Sequence, residues 1–231
     1  MPLPRAPRAV VFDMDGLLIE SEQLYRAAIM GSCHALGYPM TADQHLQMVG
    51  APWDRNRAQL IGWFGDGFPA EDFLADTSVR FHALAEHGVP LRPGVAELVA
   101  FLAENGVPSA VATSARRESA TRHLTETGLI AGFRAVVTRD DVSRGKPHPE
   151  VFLTAADRLG VDPVHCLALE DSHNGVRAAA AAGMMTVMVP DLLDAIPEIA
   201  ALCVAVAPDL HAVRAMLEAD AGGSAARRRP T

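Results

Sequence analysis

Ala9-Val-Val-Phe-Asp13-Met-Asp15-Gly16 is the stretch on which the reading of this chain turns. The apolar run through Phe12 suits a strand buried on both faces. Asp13 and Asp15, two residues apart, point to the same side of an extended chain or of its first bend. Gly16 lets the backbone turn sharply without a Cβ penalty. A buried strand that ends in two acids and a glycine makes a negative, cation-attracting point at the edge of a sheet. Open α/β sheets bind their ligands at such carboxyl ends. Taken alone, Asp-x-Asp-Gly also suits a solvated turn, so the rest of the chain must decide.

Working outward, residues 17–88 carry helical spacing and no strand pattern. Helices are expected over 20–36, over 41–49 with Thr41 as N-cap and Gly50 as stop, over 55–63 and over 69–86. From Val95 the rhythm changes. Apolar strands at 108–112, 134–138, 166–169, 186–189 and 203–206 alternate with helices at 95–104, 116–127, 150–159, 176–182 and 211–217. Such alternation implies right-handed crossovers and a parallel sheet. The expected architecture is α/β, a Rossmann-like parallel sheet core with an inserted all-helical domain. Its parts are 1–16 with 93–221 for the core, 17–92 for the helical insert, and a disordered tail at 222–231. The crossings at 17–22 and 88–93 form a hinge that permits opening and closing.

A net charge of −8 argues against a nucleic-acid surface and does not favour an anionic membrane. Three scattered cysteines provide neither a disulfide framework nor a zinc cluster, and the nine histidines show no metal-ligand spacing. The chain shows no run of transmembrane length and no signal-peptide core, so a cytoplasmic protein is expected. No nucleic-acid or membrane partner is expected, and a monomer and a homodimer are both compatible with the sequence.

Three further strand ends carry chemistry. Thr113-Ser114 closes an apolar strand just before a helix, where a hydroxyl and amides can hold phosphate oxygens or cap the helix. Lys146, in Gly145-Lys146-Pro147, is the only lysine in the chain. A composition that otherwise uses arginine suggests a task for a compact ammonium, such as a point charge on a phosphoryl group. Glu170-Asp171-Ser172 ends the strand from Cys166, and Gly175 behind it suits a tight strand-to-helix turn. Hard oxygen ligands of this kind suit Mg²⁺.

In this order and on alternating strands, the four segments resemble the haloacid dehalogenase superfamily, in its β-phosphoglucomutase-like and phosphatase subgroup with a helical cap. The resemblance implies Mg²⁺ dependence and an aspartyl-phosphate intermediate. It assigns Asp13 as nucleophile and Asp15 as general acid and base. Metal ligands would be Asp13, Asp171 and the Asp15 carbonyl, with Glu170 as an outer-shell partner. Thr113, the Ser114 amide and Lys146 would hold the transferring oxygens. The function implied is hydrolysis of a small phosphate monoester, a sugar phosphate or similar metabolite.

The alternatives are a β-phosphoglucomutase-like phosphomutase and a non-catalytic phosphate-binding module. The mutase pattern places a lysine before a cap glycine, an arginine three residues beyond it and a histidine in the hinge. Here those places hold Val49, Trp53 and Tyr25, which disfavours a mutase. Arg55 and Arg57 are candidate cap contacts to substrate, beside Trp53 and His82. Trp53 also suits plain packing.

Overall fold

In the computed structural model, which describes residues 3–49, 51, 53–86 and 88–226, six strands form one parallel sheet. The strands are β1 (Ala9–Phe12), β2 (Ser109–Ala112), β3 (Ala135–Val137), β4 (Cys166–Glu170), β5 (Met185–Met188) and β6 (Ala205–Val206). Their order is β3-β2-β1-β4-β5-β6. The chain builds outward from β1 in one direction, then returns to β1's other side and builds the opposite way. The crevice between two such halves is where open α/β sheets place ligands. That crevice lies between the carboxyl ends of β1 and β4.

The helices are α1 (Ser21–Ala35), α2 (Ala42–Met48), α3 (Trp53–Phe64), α4 (Ala70–Leu84), α5 (Val95–Glu104), α6 (Arg117–Glu126), α7 (Glu150–Leu159), α8 (His173–Ala181), α9 (Pro197–Ala200) and α10 (Leu210–Ala226). Every residue of β1 is fully buried. Ala9 and Val11 face α7 and α8 in one cluster with Ala110, Ala112, Ala168, Phe152, Ala155 and Ala178. Small side chains on that face let two helices lie close to the sheet. Val10 and Phe12 take the opposite face by strand alternation, and Phe12 meets the Phe133 ring edge-on at 5.6 Å.

The chain divides into two compact units, one of residues 1–19 and 90–231 and one of residues 20–89. In the helical unit, α1 packs along α4, where Gly31 brings its backbone against the Arg80 side chain. Cys33, Met40, Met48, Leu60, Phe68 and Phe73 form its core. Thr41 caps α2 in a capping box with Gln44. Trp53 stacks on Phe73 and Tyr25 on Phe81, with ring centroids 6.2 and 4.0 Å apart. Both rings therefore have stacking partners within this unit, though Tyr25 stays exposed.

The structure moves several expected boundaries. Residues 17–19 and 90–92, read from sequence as part of the insert, belong to the sheet-bearing unit. They are laced together by an Ile19–Leu91 bridge and an Arg92 amide bond to the Leu18 carbonyl at 3.0 Å. The last helix runs to Ala226, through residues read as a disordered tail. Gly50 and the Arg227–Arg229 run lie outside the described residues. Among those described, no helix is long and apolar enough to cross a membrane.

Candidate active site

The four segments singled out in the sequence meet at the carboxyl edge of β1, β2 and β4. Parallel pairing sets Phe12 beside Val111 on one side and Leu169 on the other. The next amide, that of Asp13, continues the ladder to the Leu169 carbonyl at 3.0 Å. Asp13 thereby comes beside Glu170 and Asp171. Their carboxylate oxygens lie within 4.8 Å of one another, and all three residues are buried. Gly16, at φ +82°, turns the chain back so that Met14 accepts from Leu18 and Ile19.

Lys146 reaches the same point from the loop after β3. Its side chain is 6% exposed, its ammonium pairs with Asp13 and, at 2.5 Å, with Glu170 Oε1. The Phe152 ring lies beneath it, 5.0 Å from Nζ. Burial alone would lower the Lys146 pKa, but the Asp13 and Glu170 carboxylates raise it above the usual range, so the group stays an ammonium. Burial pushes the Asp13 carboxyl well up; the Lys146 charge opposes this, and Glu170 and Asp15 add to it. Two carboxylates face the ammonium at hydrogen-bond distance, which keeps it charged.

Both oxygens of Glu170 are engaged by neighbouring donors. Its Oε1 is taken by Lys146, while Oε2 accepts from the Ser172 amide at 3.1 Å and hydroxyl at 3.0 Å. Ser172 also caps α8 by accepting from the Gly175 amide at 3.1 Å. A Cβ on Gly175 would overlap all three atoms of the Glu170 carboxylate. The glycine is there for space, not for the turn suggested by the sequence, since its φ is not positive. A glycine in the first turn of a helix that follows two acids is the sequence signal for this close approach.

Thr113 is 1% exposed at the end of β2. Its hydroxyl accepts from the Ala115 amide at 2.9 Å and lies 3.4 Å from Asp15 Oδ2, to which it donates. Ser114 is exposed at the same edge and does not cap the following helix. The first amide of α6, from Arg117, donates to Asp140 Oδ2 at 2.9 Å instead. Arg55 and Arg57 are exposed on α3 of the helical unit, and His82 bonds back to its own helix at Ser78 O, 2.7 Å away. Sequence reasoning missed Glu150, which opens α7 and binds two amides of the Lys146 loop.

The family model for haloacid dehalogenase-like hydrolases matches residues 7–183. Hexitol phosphatase B of Escherichia coli K12 is 35% identical over 198 residues, covering 82% of this chain and 86% of that protein. The phosphorylated carbohydrates phosphatase of Thermotoga maritima is 33% identical over 180 residues, covering 76% and 82%. The crystal structure of CbbY from Rhodobacter sphaeroides in complex with phosphate superposes with a TM-score of 0.72 at 29% identity, over 88% of this chain and 95% of that one.

Proposed function

This chain belongs to the haloacid dehalogenase-like hydrolases and is a phosphoric monoester hydrolase, and from that premise we propose that it dephosphorylates a phosphorylated carbohydrate or similar small metabolite through an aspartyl-phosphate. One observation carries the reading: the Asp13 carboxylate is buried between a compact ammonium and a second pair of acids. A nucleophile for phosphorus needs position and charge neutralisation more than it needs covalent activation.

The donor set fits a hard divalent cation, since it consists of three buried carboxylates that bring one oxygen each within 4.8 Å of one another. Asp13 and Asp171 would hold Mg²⁺ through their carboxylates and Asp15 through its backbone carbonyl. Glu170 stays in the outer shell, because Lys146 and Ser172 occupy its oxygens. When bound, the ion neutralises charge on the phosphoryl oxygens.

The chain's own residues do the rest. Asp13 attacks phosphorus, the bond to the leaving oxygen breaks, and Asp15 gives that oxygen its proton. Water then attacks the phosphorus of the aspartyl-phosphate, Asp15 takes the water's proton, and the Asp13 carboxylate is released. Thr113, the Ser114 amide and Lys146 hold the oxygens that do not react.

The test is an assay of released phosphate with Mg²⁺ over sugar, hexitol, nucleotide and glycolate-type phosphates. We expect turnover on carbohydrate phosphates and its loss in excess chelator. No phosphate from any ester would refute the reading. Glucose 6-phosphate formed from β-glucose 1-phosphate without free phosphate would replace the hydrolase with a mutase.

A further inference from the structure

Lys146 sits in a loop of irregular backbone between β3 and α7, yet its ammonium must meet two carboxylates within a few tenths of an ångström. A long, flexible side chain on a free loop would not hold that position. The loop is fastened at its start by Asp141, whose Oδ2 accepts from the Thr138 amide and hydroxyl, both at 2.8 Å. Immediately before Lys146 it is fastened by Glu150. The Ser143 amide donates to Glu150 Oε1 at 2.8 Å and the Arg144 amide to Oε2 at 3.0 Å. The His148 amide closes a turn onto Gly145 O at 3.0 Å.

Glu150 is the first residue of α7, and Phe152, beneath the ammonium, is two residues along the same helix. Val151, Phe152, Ala155 and Ala156 anchor that helix in the sheet core. One buried helix therefore carries both the apolar floor under Lys146 and the clamp on its loop. Hydrogen bonds from the two amides hold the Glu150 carboxyl below its usual range, so it is an anion with full accepting capacity.

We propose that Glu150 is a positioning residue for Lys146, setting the register of the loop that presents the ammonium to the phosphoryl group. The inference rests on the phosphatase reading for its consequence in turnover, but not for its geometry. Glu150→Ala removes both acceptors, and Glu150→Gln keeps one and turns the other into a donor facing an amide. We expect kcat/KM to fall about tenfold in the alanine variant and less in the glutamine variant, with the thermal midpoint lowered by no more than about 4 °C, the equivalent of about 1 kcal/mol for a chain of this size.

Because the chain has one lysine, selective ¹⁵N-lysine labelling gives a single ammonium resonance that reports Lys146 directly. That resonance should shift or broaden in Glu150→Ala, and the Ser143 and Arg144 amides should lose hydrogen-exchange protection while those of β4 keep theirs. An ammonium resonance that stays where it was would overturn the proposal, and so would turnover that falls only in step with the thermal midpoint. If the unaltered protein hydrolysed no ester while the resonance still moved, the catalytic reading would fail and the positioning role would stand.

Discussion

Gly175→Ala isolates the close approach on which the charge cluster depends. In a helix this substitution ordinarily stabilises by about 1 kcal/mol. Here the new methyl would overlap Glu170 Oε1, Cδ and Oε2 together, so the whole carboxylate must move. Glu170 is fully buried and bound by Lys146 and Ser172, which leaves it nowhere to go without breaking those contacts. Breaking a buried charge pair costs about 3–5 kcal/mol. Set against the helix gain, the net loss is about 2–4 kcal/mol. At about 2–4 °C per kcal/mol for a chain of this size, the thermal midpoint should fall by about 5–15 °C. The same substitution in a Glu170→Ala background no longer meets that carboxylate and should be neutral or stabilising by about 1 kcal/mol. Circular dichroism melts of the four proteins complete the double-mutant cycle. Equal costs in the two backgrounds, or a stabilised Gly175→Ala single variant, would refute the reasoning.

Three other outcomes are expected. Asp13→Asn should lower phosphate release by about 10⁴-fold with an unchanged far-ultraviolet spectrum, since it removes the nucleophile; near-native turnover would remove that assignment. Lys146→Arg should cost at least about tenfold in kcat/KM, because a planar guanidinium replaces a compact ammonium in a site where the side chain is 6% exposed; full activity would defeat the point-charge argument. Asp141 is held below its usual pKa: burial alone would raise it, but bonds from Arg158 and Thr138 outweigh that. A depressed carboxylate contributes stability that is present above the unfolded pKa near 3.9 and is lost as pH falls further. The stability difference between the wild-type protein and Asp141→Asn, from urea midpoints, should therefore shrink below about pH 4; a difference independent of pH would be the contrary result.

The local elements were legible because their signals are local. Buried strands such as Ala9–Phe12 announce themselves by apolar runs, and Thr41 and Gln44 by capping chemistry. The four chemical segments were legible because each closes such a strand with residue types that ordinary packing does not need. Hinge residues 17–19 and 90–92 fall in the sheet-bearing unit through bonds that no periodicity encodes, from the Leu17, Leu18 and Ile19 amides to Met14 O and from the Arg92 guanidinium to Asp191 and Pro190 O. Sequence by itself determined the alternation of strand and helix, the helical insert and the inventory of acids with one lysine. Only the tertiary structure decided that β1 lies between β2 and β4, which brings Asp13 to Asp171 across the length of the core. It also decided that Gly175 makes room for a carboxylate and that Glu150 clamps the Lys146 loop. Hydrogen-bond ladders and excluded volume act between residues far apart in the chain, and they leave no pattern in any one segment to be read.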